Sequence, residues 1–229
     1  MVVESQPLAI RVSETEKVSG LLSASIDCRA AFVFAHGAGA GMTHPFMTSF
    51  AAGLAARDVA TLRFQFPYME RGSKRPDVPR VAHAAVRAAV EEATRRLPGV
   101  PLFAGGKSFG GRMTSQAQAE SPLPGVHGLI FVAFPLHPAG KPSQERADHL
   151  SNVNCPTLFL QGTRDELADL DLLTGVVQRL GSRATLKLFI DADHSFHVPA
   201  RSGTNDEAVQ RAMIDEAVGW ISRVLLRPA

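Results

Sequence analysis

Along the chain, apolar positions change their spacing several times, and each change predicts an element. Leu8 to Val12 alternates apolar with polar residues and predicts a strand; Val18 to Ile26 predicts a second, weaker one. The short polar turn between them favours an antiparallel pair. Ala30-Ala-Phe-Val-Phe-Ala35 is then apolar throughout, as a strand buried on both faces of a parallel sheet must be. His36-Gly-Ala-Gly-Ala-Gly41 ends that run, and a helix is expected from Pro45 to about Arg57.

The alternation repeats. Val59 to Phe66 predicts a strand, Arg71 to Pro79 a loop, and Arg80 to Leu97 a helix. Val81, Ala85, Val86, Ala89, Val90, Ala93 and Leu97 form the apolar stripe of that helix. Glu91 with Arg95 and Glu92 with Arg96 are spaced as ion pairs on its outer face. Pro101 to Gly105 predicts a short strand, followed by Gly106-Lys-Ser-Phe-Gly-Gly111 and a helix to about Glu120. Three more strands are expected at His127–Phe134, Pro156–Gln161 and Ala184–Ile190, with a helix from about Glu166 to Leu180. Thr204-Asn-Asp-Glu207 reads as a capping box with Thr204 at the N-cap, opening a last helix that ends near Leu226. Strands alternating with helices predict the α/β class: a mostly parallel central sheet, helices on both faces, and the initial hairpin as an antiparallel edge. No repeat or linker divides the chain, so residues 1–229 are expected to form a single domain.

Composition narrows the classes of partner. The 229 residues suffice for a continuous core without disulfides or structural metals. With 24 basic and 22 acidic residues the formal net charge is +2, no footprint for nucleic acid or an anionic membrane. Cys28 and Cys155 lie in no CxxC pair, so no zinc or redox signature is present. Both neighbour apolar segments, as small core residues do, and a disulfide between them stays open. The first residues lack the basic and apolar regions of a signal peptide, and no apolar run approaches the roughly 20 residues of a membrane span. The protein is expected to be soluble and cytoplasmic.

Candidate chemistry centres on Gly106-Lys107-Ser108-Phe109-Gly110, which matches G-x-S-x-G between an apolar strand and a helix. The flanking glycines allow a strained turn too tight for side chains. That turn lifts the serine oxygen above the sheet edge, at a helix N-terminus where free N–H groups favour negative charge. A serine hydroxyl is a weak nucleophile and needs a base and a residue that orients the base. Both are expected at the carboxyl ends of later strands. Asp165 follows the next-to-last strand and His194 the last, in the chain order Ser, Asp, His. Ser108, Asp165 and His194 are therefore the candidate catalytic residues.

Competing residues are weaker. Asp169 and Asp171 are expected inside the following helix, facing solvent. Asp191 and Asp193 adjoin the base and can hold its loop. His197 is the alternative base, but His194 follows its strand at the shorter turn. The candidate oxyanion-hole donors are the N–H groups of Phe109 and Ala38, with Gly39 as the fallback for the second. His36 is expected to fix that loop or wall the site, and Lys107 to be scaffold or solvated charge. Arg71, Lys74 and Arg75 read as a solvated basic loop, the other option being attraction of an anionic substrate. His137 and Lys141 have no assigned role. His194 and His197 lack a third ligand at metal spacing, so neither a metal nor an organic cofactor is expected.

HGAGAG, GKSFGG, TRD and DADH together resemble the α/β-hydrolase superfamily over nearly the whole chain. FPYMERG, GGKSFGGRM, FPLHPAGKP and LFLQGTRD are most similar to its small dienelactone-hydrolase-like branch. Within it they resemble a group of hydrolases related to a subunit of a eukaryotic chromatin-modifying complex. The resemblance implies an α/β-hydrolase fold, with Ser108 as nucleophile, Asp165 as acid and His194 as base. Dienelactone hydrolase itself carries cysteine in the elbow, so Ser108 argues against a dienelactone substrate. The stretch from Pro135 to Pro156 is too short for an inserted cap domain. The expected function is serine hydrolysis of a small-molecule ester or thioester. An acyltransferase would use the same residues, and the reading from another class is a catalytically silent scaffold or interaction protein.

Overall fold

A computed structural model describes residues 4–226. Eight strands form one sheet: β1 (Gln6–Arg11), β2 (Lys17–Ser23), β3 (Ala30–Ala35), β4 (Val59–Phe64), β5 (Leu102–Lys107), β6 (Val126–Val132), β7 (Thr157–Gly162) and β8 (Ala184–Phe189). Their order across the sheet is β1-β2-β4-β3-β5-β6-β7-β8. β1 and β2 pair antiparallel, β2 meets β4 antiparallel, and the remaining pairs are parallel. The order reverses between β3 and β5, where ligands of open α/β sheets bind.

Side-chain alternation along β3 shows why the sheet needs cover on both faces. Phe32 and Phe34 join one core with α1 (Pro45–Ala55) and the last helix, α6 (Asp206–Leu225). Ala31, Val33 and Ala35 join the other, with α3 (Pro79–Arg96), α4 (Phe109–Glu120) and α5 (Leu170–Leu180). The short α2 (Pro67–Glu70) follows β4, so Phe66 ends up capping a helix rather than ending a strand. Between β6 and β7 the only regular element is a 3-10 turn at Glu145–Asn152, and no separate cap domain is present among the described residues.

Several local expectations are corrected. The last helix takes its N-cap from Asn205, whose side chain accepts from Ala208 N–H, not from Thr204. Asp169 lies outside α5 and caps it, accepting from Leu172 N–H; the helix starts later than Glu166 because this cap sets its first turn. Glu92 faces inward rather than outward and is buried, held by Arg96 at 2.8 Å and by Arg95. The part of Val18–Ile26 beyond Ser23 is not strand, and Ile26 is exposed. Cys28 and Cys155 are both free thiols packed at the core's margin.

Gly110 brings α4 down onto the end of β3. A Cβ built there would lie 2.5 Å from Ala35 O, 2.6 Å from Ala35 C and 2.6 Å from His36 O. All three are backbone atoms that cannot swing aside. Gly110→Ala must lift the helix from the sheet, and a loss of more than about 4 kcal/mol is expected, in the range reserved for severe core strain. A urea titration checks it; a midpoint near that of wild type would show that the helix can move freely.

Candidate active site

Ser108 sits between β5 and α4 with φ 50° and ψ −115°, a left-handed conformation that costs a residue with a side chain on the order of 1–3 kcal/mol. Its N–H donates to Val132 O (2.9 Å), which pins the turn to β6. Gly106 is required on the other side, where a Cβ would meet the backbone of Ala35, Gly110 and Gly111. The serine oxygen thereby stands at the positive end of a helix.

The structure brings the three sequence candidates into one chain of hydrogen bonds. His194 Nε2 lies 2.9 Å from Ser108 Oγ, and His194 Nδ1 lies 2.8 Å from Asp165 Oδ2. With the carboxylate accepting from Nδ1–H, Nε2 is left as the acceptor for the serine proton. Asp165 is fully buried at its carboxylate and carries two further bonds. Gln161 Nε2 donates to Oδ2 (2.6 Å), and Leu167 N–H donates to Oδ1 (2.8 Å). Gln161 is itself oriented by Phe134 N–H, which donates to its Oε1 (2.9 Å). Sequence reasoning missed Gln161, although a polar residue ending the otherwise apolar run Thr157-Leu-Phe-Leu160, four positions before the acid, was a usable signal.

The competitors are placed elsewhere. His197 is largely exposed and pairs with Asp206, not with Ser108. The carboxylate of Asp206 raises its imidazole above the usual range by hydrogen bonding. Asp193 accepts from Ser195 N–H (2.7 Å) and His197 N–H (3.0 Å), so it folds the loop of His194, as expected. Arg71 is bound by Glu16 and Asp77, both at 2.6 Å, and neither it nor Lys74 nor Arg75 lines the pocket at Ser108. His137 is buried; its Nε2 accepts from Asp169 N–H at 2.8 Å.

His36 is wholly buried beneath the glycine-rich loop. Its Nδ1–H donates to Gly37 O (2.7 Å), and its Nε2 accepts from Phe66 N–H (3.0 Å). Tyr68, the one tyrosine, is also buried and accepts from Gly39 N–H at 3.1 Å. The Gly39 amide is therefore occupied. Among the described residues, the N–H groups of Ala38 and Phe109 have no intramolecular acceptor. Ala38, Ser108 and His194 border a cavity of about 360 Å³ whose other walls include Phe46, Met47, Leu167 and Lys107. A larger groove, of about 650 Å³, runs past Asp165, His137 and Asp169 but contains neither Ser108 nor His194.

Burial pulls the pKa of His36 down to about 4. A folded-state pKa below the unfolded one means that the unfolded chain binds more protons between these values. His36 thus adds nothing unfavourable above about pH 6.5, and stability falls as pH drops from there to about 4, by up to about 1.4 kcal/mol per unit. His149, whose Nε2 lies 2.7 Å from Ser115 Oγ, is lowered by burial in the same direction. Urea midpoints at several pH values should show the decline, and His36→Gln should flatten it. An unchanged slope in that variant would assign the acid sensitivity to other groups.

A search of solved structures finds the same architecture repeatedly. Dienelactone hydrolase from Anabaena variabilis is 20% identical with a TM-score of 0.77, the match covering 97% of this chain and 99% of that one. An α/β serine hydrolase without lid from Xanthomonas campestris is 21% identical at TM-score 0.71, covering 94% of each chain. Est1E from Butyrivibrio proteoclasticus, solved with ferulic acid bound, is 16% identical at TM-score 0.72, covering 92% of this chain and 99% of that one. These likenesses are of fold. The family model described as the alpha/beta hydrolase domain matches residues 28–222, from just before β3 into α6, and the chain belongs to that family.

Proposed function

We propose that this protein is a serine hydrolase that cleaves a small ester or thioester through an acyl-enzyme. The observation that carries the reading is the unbroken path from Asp165 Oδ2 through both nitrogens of His194 to Ser108 Oγ, at 2.8 and 2.9 Å. Ser108 Oγ attacks the carbonyl carbon as His194 Nε2 takes its proton. The carbonyl oxygen becomes an oxyanion, which accepts from the N–H groups of Ala38 and Phe109; that both lack an intramolecular acceptor among the described residues supports this role. The tetrahedral adduct collapses, His194 gives its proton to the leaving oxygen or sulfur, and the acyl group stays on Ser108. A water molecule, deprotonated by the same histidine, releases the acid and restores the serine. Asp165 holds the imidazole in the required tautomer throughout.

The cavity at Ser108 suits a small acyl group. Related structures include proteins called dienelactone hydrolase and Est1E, and one with ferulic acid bound, which fits ester cleavage as the reaction type. No described helix is long and apolar enough to cross a membrane. Treatment with a fluorophosphonate followed by intact-mass and peptide mass spectrometry tests the proposal without a guessed substrate. One adduct per chain on Ser108, absent in His194→Ala, is expected. A folded protein that forms no adduct would overturn the reading in favour of a silent scaffold.

A further inference from the structure

The geometry points to Lys107 as the positioning residue that locks the loop of His194 onto the nucleophile turn. This deepens the hydrolase reading above and rests on it. Lys107 occupies the position before Ser108, so its side chain leaves from the same strained turn. Its Nζ donates to the backbone carbonyl of His194 at 2.6 Å. The ammonium also lies 5.5 Å from the ring centre of Phe46 and 5.3 Å from that of Phe196. Phe196 belongs to the same loop as His194, and the two rings stack on each other at 6.1 Å. Charge-assisted hydrogen bonding and cation–π attraction therefore act on one loop from one atom.

The other attachments of that loop show what Lys107 adds. Arg164 N–H donates to Ala192 O (2.9 Å), and Asp191 N–H donates to Thr163 Oγ1 (2.9 Å), which ties the loop to that of Asp165. Val198 N–H donates to Asp206 Oδ1 (2.9 Å), which ties it to the last helix. Among the described residues, no other hydrogen bond joins the backbone of the His194 loop to the nucleophile turn. Without it the imidazole is fixed at Nδ1 by Asp165 but free to swing at the nitrogen that must meet Ser108. A displacement of about 1 Å there costs on the order of a hundredfold in rate.

A plain packing role does not explain a charge at this place. Burial pulls the ammonium down to about 8, against the opposing pull of Asp165 and Asp193. His194 itself and His44, across the pocket, are the other titratable groups near it. A methionine would pack the same stem against the two rings without that desolvation. The amine is thus costly to fold and informative about function.

The test compares wild type, Lys107→Met and Lys107→Arg by the second-order rate of fluorophosphonate addition to Ser108. Melting temperature and the downfield proton resonance of His194 Nδ1–H are read alongside. Lys107→Met is expected to melt at or above the wild-type temperature, to label about ten- to a hundredfold more slowly, and to broaden the downfield resonance. Lys107→Arg, which keeps a charged donor, is expected to recover most of the rate. Should the methionine variant not fold, Lys107→Gln, too short to reach the carbonyl, carries the same expectation. A folded Lys107→Met or Lys107→Gln that labels at the wild-type rate overturns the inference. So does an equal loss in the methionine and arginine variants, which would mark a packing requirement. Failure of the wild type to label at all would instead sink the hydrolase reading.

Discussion

Ser108→Ala and His194→Ala should each lose about 10⁶-fold in kcat, and the double variant should lose no more than either alone. The reason is the single 2.9 Å bond between them. A serine without its base stays protonated, and a base without its serine has nothing to activate. Each change removes the same unit, so the free energies do not add. The measurement is steady-state hydrolysis of a short acyl p-nitrophenyl ester by the three variants. Additive losses would mean that the two residues act separately and that another group serves as base. His197→Ala is the internal control: its ring is engaged with Asp206, away from the serine, and activity within a few-fold of wild type is expected.

Much of this site was legible because its determinants are local. A serine between glycines, after an apolar strand and before a helix, specifies one tight turn, and Ser108 adopts it with φ 50°. The parallel strands put the carboxyl ends of β7 and β8 on the same sheet edge as that turn, and the loops after them bring Asp165 and His194 to Ser108. The caps were harder, because Asp169 and Asp171, or Thr204 and Asn205, offer equivalent side chains in neighbouring positions. Only the backbone's actual turn decides between them. Glu92 looked like a surface residue because its spacing to Arg96 fits one; its burial follows from how α3 packs in the fold, which that spacing does not encode.

The contacts that hold the candidate catalytic groups in place were the least legible. Gln161, Tyr68 and Lys107 meet their partners at 4, 29 and 87 residues' separation. Lys107 ends an apolar strand and Tyr68 follows a proline, so both are ordinary residues in their own segments; Gln161 alone stands out locally, as a polar residue near the end of β7. Their roles arise when the sheet edge assembles. This separation divides the chemistry, readable from motifs, from its orientation, readable only from contacts.

Asp165→Asn should lower kcat by about 10⁴-fold, or about 5.5 kcal/mol in barrier, while leaving Ser108 and His194 in place. The carboxylate is acceptor-only at three contacts: Oδ2 receives His194 Nδ1–H and Gln161 Nε2–H, and Oδ1 receives Leu167 N–H. An amide can satisfy only one side. If its oxygen faces Leu167, its NH₂ faces Gln161 and His194. The histidine must then move its proton to Nε2, where it can no longer accept from Ser108. If its oxygen faces His194, the NH₂ collides with Leu167 N–H, and a buried donor is left unpaired at a cost of roughly 1–3 kcal/mol. Gln161 cannot resolve the conflict by turning over, because its own oxygen is held by Phe134 N–H. The expected result is therefore a large kinetic loss with a smaller loss in urea stability. Activity within tenfold of wild type would show that His194 keeps its tautomer without Asp165, and would remove Asp165 from the mechanism.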